Sequence, residues 1–322
     1  MSASPALRDG IDVVVRELAE LPGDVRSVAF GSPDGAPLTG YPAGSHIVVE
    51  CGDKVNAYSL TGIGDDPSTY TISVLRDDAG AGGSIGVHAF ELGQRVRVSR
   101  PRSAFPQLAT ARSQLLVAAG IGVTPILSHA RAAARWNRPA RVLYVHRPGA
   151  DAHAADLHDL AARHPSISVA EFEGRAGFSA ALDAELRGSV LGTHLYACGP
   201  ATFMADVRAR AEALGWPGAR VHTEAFGAAA LDAGEPFTAV IAGSGERVDV
   251  PAGVSLLEAL EATGREIPNL CRQGVCGECR LSVSAGTPLH RDHYLSPAER
   301  EAGDAIMSCV SRSTESELEL EL

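Results

Sequence analysis

Four cysteines near the C-terminus, Cys271, Cys276, Cys279 and Cys309, read C-x4-C-x2-C followed by one distant cysteine. This is the spacing of a plant-type [2Fe-2S] site, because two sulfide-bridged irons need four thiolates around one small volume, three from a tight loop and one from elsewhere. Gly274 and Gly277 lie inside that loop, where a missing Cβ lets the backbone wrap closely and aim N–H groups at the sulfurs. A structural zinc site and cysteines that merely fill a core are the competing readings. Zinc usually takes two C-x2-C knuckles, whereas here one knuckle has a single cysteine on either side. The pattern thus points to one-electron chemistry.

Four other short patterns could hold a flat or anionic ligand. Gly120-Ile121-Gly122-Val123-Thr124-Pro125 follows a strand signal and opens a helix, so its backbone can approach a pyrophosphate at a helix N-terminus, although a plain βα turn would look the same. Cys198-Gly199-Pro200 ends a strand where open α/β sheets bind ligands; a cysteine buried for packing is the bland alternative. Within Asn56-Ala57-Tyr58-Ser59, Tyr58 can offer its ring face to an aromatic cofactor and Ser59 a polar contact, or Tyr58 is an ordinary strand tyrosine. Gly82-Gly83-Ser84, ahead of His88, opens a short helix or makes a glycine-rich turn. The remaining histidines, His290 and His293 included, have no ligand-like partner set and read as surface or core residues.

The elements that must position these residues fall into three segments. Residues 1–110 carry short β-type runs (12–16, 26–31, 47–50, 70–75, 95–99) divided by Gly, Pro and Asp, with one helical stretch after Gly83, the pattern of an antiparallel β-barrel. Residues 111–226 alternate strands (114–119, 142–146, 167–172, 194–198, 220–223) with helices (126–135, 156–163, 179–186, 201–214), which predicts an α/β domain with a parallel sheet. A linker is expected at 227–236. An α+β domain of β-grasp-like type follows at 237–322, with a helix at 254–262 and strands at 238–242, 247–250 and 280–284. Glu and Leu alternate from Glu315 to Leu322, so the acidic ending reads as a half-buried last strand.

Composition narrows the function classes. The net charge of −11 argues against nucleic acid, whose phosphates would repel this surface. Residues 237–322 hold 14 acidic and 7 basic side chains, a net of −7 that leaves −4 for the rest; docking to a basic partner and simple solvation explain this equally well. The longest apolar stretch, Leu115 to Ala119, is far too short to span a membrane, and the start shows no secretory pattern. A cytoplasmic, reducing location is expected, in which six cysteines suit metal better than disulfides.

Taken together, these motifs resemble the phthalate dioxygenase reductase family, which includes the reductases of vanillate demethylase-type oxygenases, over nearly the whole chain and in the family's own order of flavin, nicotinamide and ferredoxin domains. The resemblance implies that Tyr58 and Ser59 contact the isoalloxazine of FMN, and that Asn56, Gly82, Gly83 and Ser84 surround its phosphate end. It also implies that Thr124, with Gly120 and Gly122, lies between flavin and nicotinamide, and that Cys198, Gly199 and Pro200 line the nicotinamide site. His222-Thr223-Glu224-Ala225-Phe226 is similar to the family's E-x-F ending, which would bring Phe226 to the flavin ring. Asn56 and Ala81 stand where the family typically has arginines, although some members also read N-A-Y-S-L; weaker FMN retention, or a substitute cation such as Arg76, is expected.

By the same resemblance, NADH gives up two electrons as hydride, flavin converts them to single electrons, and the cluster passes these to an external acceptor. NADPH stays open, since Arg147 follows His146 where a 2′-phosphate would sit. The expected acceptor is a Rieske-type non-haem iron oxygenase or demethylase. The alternatives are a cytochrome P450 partner, or a flavin reductase carrying a zinc-stabilised interaction module. A monomer is expected.

Overall fold

Inward-facing Val13, Val15, Phe30, Ile47, Val49 and Ile72 draw the first strands around one apolar core. The computed structural model describes residues 7, 10–52, 54–80, 82–103, 105–175, 177–225, 233–269, 274, 277–292 and 294–322. The N-terminal strands are β1 (Ile11–Leu21), β2 (Val25–Gly31), β3 (Ser45–Cys51), β4 (Lys54–Ser59), β5 (Thr69–Leu75), β6 (Arg95–Val98) and β7 (Arg102–Ser103). They form a seven-stranded antiparallel sheet in the order β4-β3-β6-β1-β2-β5, with β7 beside β3. The sheet curls back on itself, because Leu60, just past β4, bridges Ile72 of β5 and the Thr61 amide donates to the Thr71 carbonyl at 2.9 Å. A short helix, α1 (Gly83–His88), packs on β3, β4 and β5.

The following elements are β8 (Ser113–Ala119), α2 (Val123–Arg135), β9 (Ala140–His146), α3 (Ala154–Arg163), β10 (Ile167–Glu173), α4 (Phe178–Gly188), β11 (Thr193–Gly199), α5 (Ala201–Ala213) and β12 (Val221–Ala225). The five strands are all parallel, in the order β10-β9-β8-β11-β12. Both faces are covered: Leu116 and Ala118 belong to one apolar cluster, Leu115 and Val117 to the other, as a buried parallel sheet requires. Chain order reverses between β8 and β11, so the ligand crevice of such a sheet lies at the C-terminal ends of these two strands. Several boundaries differ from the sequence expectation by one or a few residues, and two of these have a plain local cause. Helix α2 starts three residues before Ile126, since Pro125 sits in the first turn where its missing N–H breaks no helical bond. Arg220 belongs to a 3-10 turn, not to β12.

Residues Met1–Gly227 and Ala228–Leu322 are separate compact units. The second holds β13 (Phe237–Ile241), β14 (Arg247–Val250), α6 (Leu256–Ala262), β15 (Arg280–Ala285), β16 (Pro288–Leu289), α7 (Pro297–Ala302), β17 (Ala305–Met307), β18 (Arg312–Ser313) and β19 (Glu317–Glu321). Its main sheet runs β14-β13-β19-β15-β17, with β13 and β19 parallel. In β19, Leu318 and Leu320 are buried while Glu317 and Glu321 face out. Ser255 and Ser296 each close a capping box with a glutamate three residues on; Ser296-Pro297-Ala298-Glu299 announced α7 in the sequence, where it passed unread.

The last four residues of the expected linker belong to this second unit. The Ala233 carbonyl accepts the Gly253 amide at 2.8 Å, and the Glu235 carbonyl accepts Arg312 Nη2 at 2.9 Å. Residues 227–232 lie outside the described ones. Arg312 is buried and also donates to the Val254 carbonyl at 2.8 Å and the Pro251 carbonyl at 3.1 Å, with its guanidinium 5.2 Å from the Phe237 ring. Among the described residues no helix is long and apolar enough to cross a membrane. Replacing Arg312 by Met strips three partly buried carbonyls of their charged donor, and the second unit is expected to lose on the order of 2 kcal/mol of stability, read from hydrogen-exchange protection along β13 and β19.

Candidate functional site

Two of the four motif cysteines face each other. Cys279 precedes β15 and Cys309 follows β17; strand pairing of Arg280 with Met307 brings them together, and their Sγ atoms are 3.1 Å apart, both buried. The Ser308 amide and hydroxyl both donate to the Cys279 carbonyl, at 3.1 and 3.0 Å, which fixes the pair from behind. Cys271 and Cys276 lie outside the described residues. Gly277 takes φ +83°, and a Cβ there would fall 2.4 Å from Cζ of Tyr294, so this ring lies directly on the cysteine loop. Gly274, at φ +72°, meets Val310 and Asp292 in the same way. Asp292 is buried and accepts the Tyr294 and Leu295 amides at 3.1 and 2.8 Å, which fixes the turn that carries Tyr294. Two converging thiol sulfurs in a buried setting fit an iron–sulfur group as ligands. The sequence reading missed Asp292 and Tyr294, because neither lies within a ligand motif.

The switch point of the parallel sheet gathers the second set. Gly120 to Gly122 form a 3-10 turn between β8 and α2, and a Cβ on Gly122 would lie 2.4 Å from the Cys198 carbonyl oxygen. The role of Gly122 is therefore backbone-to-backbone contact between two strand ends, a use that the sequence reading had not assigned. Gly120 has φ +53° with no atom within 4 Å of its would-be Cβ, so the open approach to a ligand lies there. Thr124 is buried, and its hydroxyl donates to the Ile121 carbonyl at 3.0 Å. Gly199 abuts Ala119, and Pro200 caps α5.

Parallel register sets Cys198 beside Glu224, with Sγ 4.0 Å from Oε2. Burial pushes the Cys198 thiol well up, and nearby Glu224 adds to this, so the sulfur stays protonated and is no nucleophile. Burial alone raises the Glu224 carboxyl to about 8. Below this pair the same face carries Tyr196 and His222, with ring centroids 4.6 Å apart, and then His194, which stacks on His222 at 5.3 Å. Burial holds His222 down to about 4, so this ring column is neutral at pH 7. Phe226 lies outside the described residues.

The third set lies on the N-terminal antiparallel sheet. Asn56 and Tyr58 alternate onto one side of β4, and Asn56 Nδ2 is 3.4 Å from the Tyr58 hydroxyl. A Cβ on Gly83 would lie 2.1 Å from Asn56 Nδ2, so α1 packs onto the Asn56 side chain where residue 83 has none. Gly82 takes φ +93° and opens onto free space. Ser59 is buried. Ser84 uses its hydroxyl on Asp77, accepting the amide at 3.0 Å and donating to the carbonyl at 3.1 Å. Arg76, the candidate substitute cation, is next to that pair in sequence and bonds Asp78 through Nε at 2.8 Å. A half-buried tyrosine ring beside an open glycine turn fits a flat, phosphate-bearing group.

Comparison with known proteins matches this layout. Residues 96–221 fit the family model described as dimethylamine monooxygenase subunit DmmA-like, N-terminal domain, and residues 239–314 fit the 2Fe-2S iron-sulfur cluster binding domain. The chain is 40% identical over 317 residues to the heme-dependent oxidative N-demethylase beta subunit of Ectopseudomonas mendocina (strain ymp), covering 97% of this chain and 99% of the relative. Among solved structures it superposes with a TM-score of 0.74 and 33% identity on phthalate dioxygenase reductase, described as a modular structure for electron transfer from pyridine nucleotides to [2Fe-2S], covering 97% and 98% of the two chains. An intact type IV self-sufficient cytochrome P450 monooxygenase matches with a TM-score of 0.79 and 30% identity over 97% of this chain; the chain spans 41% of that longer protein.

The raised Glu224 carboxyl has a pH signature. Between its ordinary value of 4.5 and about 8 the folded chain holds a proton that the unfolded chain has released, so stability falls as pH rises through this window and levels off above it. Glu224→Gln is expected to flatten that part of the profile, measured as urea midpoints from pH 5 to about 9.

Proposed function

The chain belongs to the phthalate dioxygenase reductase family, and from that premise we propose that it is an NADH-dependent oxidoreductase, the reductase component of an oxygenase system, which carries electrons through FMN and a [2Fe-2S] cluster to a separate oxygenase. The observation that carries the reading is the 3.1 Å approach of the Cys279 and Cys309 sulfurs in a chain whose first unit holds a switch-point cleft and an open glycine turn beside a tyrosine. When bound, flavin accepts hydride from a dihydronicotinamide and releases single electrons, the conversion needed between a two-electron donor and a one-electron cluster.

The residues divide the work. Cys279 and Cys309, with Cys271 and Cys276, are the iron ligands. Tyr58 and Ser59 hold the isoalloxazine, and Asn56, Gly82, Gly83 and Ser84 the phosphate end. Gly120 gives the nicotinamide its approach, Gly122 and Gly199 keep the two strand ends in contact, and Thr124, Cys198 and Pro200 line the cleft. Cys198 and Glu224 form an uncharged, dry floor, since the buried thiol stays protonated and the carboxyl keeps its proton up to about pH 8. Phe226 covers the flavin ring in this reading. NADH is preferred on the family likeness; Glu171, on β10, pairs with both His146 at 2.8 Å and His158 at 2.6 Å.

For the acceptor, the whole-length likeness to a heme-dependent N-demethylase subunit and the dimethylamine monooxygenase family model support a haem oxygenase that removes N-methyl groups, ahead of the Rieske type expected from sequence. A cytoplasmic setting is part of the same proposal.

Metal analysis and spectroscopy test the reading. Iron with acid-labile sulfide and a rhombic electron-paramagnetic signal on reduction by NADH are expected; a zinc-only preparation overturns it. Electron delivery to haem and Rieske oxygenases then separates the two acceptors. Cys198→Ala is expected to slow flavin reduction by about tenfold and cluster reduction far less, followed by stopped-flow absorbance. Equal slowing of both steps removes Cys198 from the nicotinamide site.

A further inference from the structure

Helix α2 starts at the nicotinamide cleft and carries a polar stripe away from it: Ser128, Arg131 and Arg135 recur at helical spacing. The stripe meets the segment of barrel that directly continues Tyr58 and Ser59. Ser128 donates to the Gly62 carbonyl at 3.0 Å, Arg131 Nη1 to the Thr61 carbonyl at 2.8 Å, and Arg135 lies 3.7 Å from Asp65. The helix that carries Thr124 in its first turn and the segment that continues the strand ending at Ser59 are thus tied to each other by hydrogen bonds.

Arg131 is itself held. Its Nη2 donates to Asp156 Oδ1 at 2.9 Å, and Asp156 Oδ2 is 2.7 Å from His153 Nδ1. The other nitrogen of His153, Nε2, is 2.9 Å from Ser73 Oγ on β5, so the chain of contacts returns to the barrel. His153 and Ser73 are both buried. His153 also takes φ +64°, a left-handed conformation that costs a residue with a Cβ on the order of 1 kcal/mol and persists only where its surroundings impose it. None of these residues touches a motif that sequence reading singled out.

We propose that Arg131, Asp156 and His153 are positioning residues for hydride transfer: a relay that fixes the barrel segment behind Tyr58 against the nicotinamide helix and so sets the distance between the two reacting rings. The inference rests on the functional reading above. A rigid setting of this kind matters because a shift of about 1 Å between reacting groups costs on the order of a hundredfold in rate, while binding of either group is hardly altered.

Anaerobic stopped-flow reduction of the flavin-loaded, full-length protein by NADH tests the relay. Arg131→Met and Asp156→Ala are expected to lower the limiting rate about ten- to a hundredfold, with the half-saturating NADH concentration and the flavin content nearly unchanged. Arg131→Lys, which keeps a cationic donor toward Thr61, is expected to recover part of that loss. Because the residues act in series, His153→Ala combined with Asp156→Ala is expected to be no slower than Asp156→Ala alone. In the flavin-free chain, amide exchange at residues 61–64 is expected to rise in Arg131→Met and Asp156→Ala while β8 stays protected. Unchanged limiting rates, additive losses in the double variant, or unchanged exchange at 61–64 overturn the relay. Parallel loss of electron delivery from dithionite-reduced protein to ferricyanide also overturns it, since that step bypasses hydride transfer. A wild type that NADH does not reduce overturns the functional reading as well, whereas normal variants of a competent wild type overturn the relay alone.

Discussion

Gly122 touches the backbone of Cys198 so closely that no side chain could stand between them. The contact joins the ends of β8 and β11 where chain order in the sheet reverses, and the rest of the nucleotide unit follows from it. It fixes where α2 begins, and the helix then delivers Ser128 and Arg131 to the carbonyls of Gly62 and Thr61. It leaves Gly120 facing open space. A methyl group at residue 122 would push apart the two strand ends from which both cleft and helix are measured.

Around that contact the protein removes charge instead of assembling it. Cys198 and Glu224 are buried side by side and hold their protons, and the column of Tyr196, His222 and His194 beneath them is neutral. In the proposed nicotinamide site such a neutral floor would offer no group to attack or to exchange protons with, which would suit a task of holding two rings in register. Charge is kept farther out, in Arg131 and Asp156, where it fixes one element against another. The cysteine unit follows the same economy: Asp292 is buried to hold the turn on which Tyr294 rests, and Arg312 to bind carbonyls of Glu235 and of the 250–254 loop.

Much of this was legible in the chain because it is local. Each strand or helix of the βα alternation from Gln114 onward, the Glu/Leu alternation of the last strand and the C-x4-C-x2-C run lie within a few residues, where side-chain period and ligand count leave few options. The capping box at Ser296 was equally local and went unread. The contacts from Ser128, Arg131 and His153 to the barrel were not legible: they span 66, 70 and 80 residues and use serine, arginine and histidine, residue types common on any helix face.

The sequence by itself determined which chemistry is present: thiolates at a spacing that suits two irons, glycines at strand ends, a tyrosine beside a glycine turn. Only the tertiary structure decided how these groups are used. Gly122 reads as a glycine that lets the backbone approach a pyrophosphate and serves as a backbone contact; Ser84 reads as part of a phosphate end and is held in place by Asp77; Cys198 reads as lining a ligand site or as packing, and burial keeps it protonated. The reason is physical. Residue type and spacing fix what a group can do, while burial, register and the partners brought by distant segments set its protonation, its orientation and the space around it, and none of these is carried by neighbours in the chain.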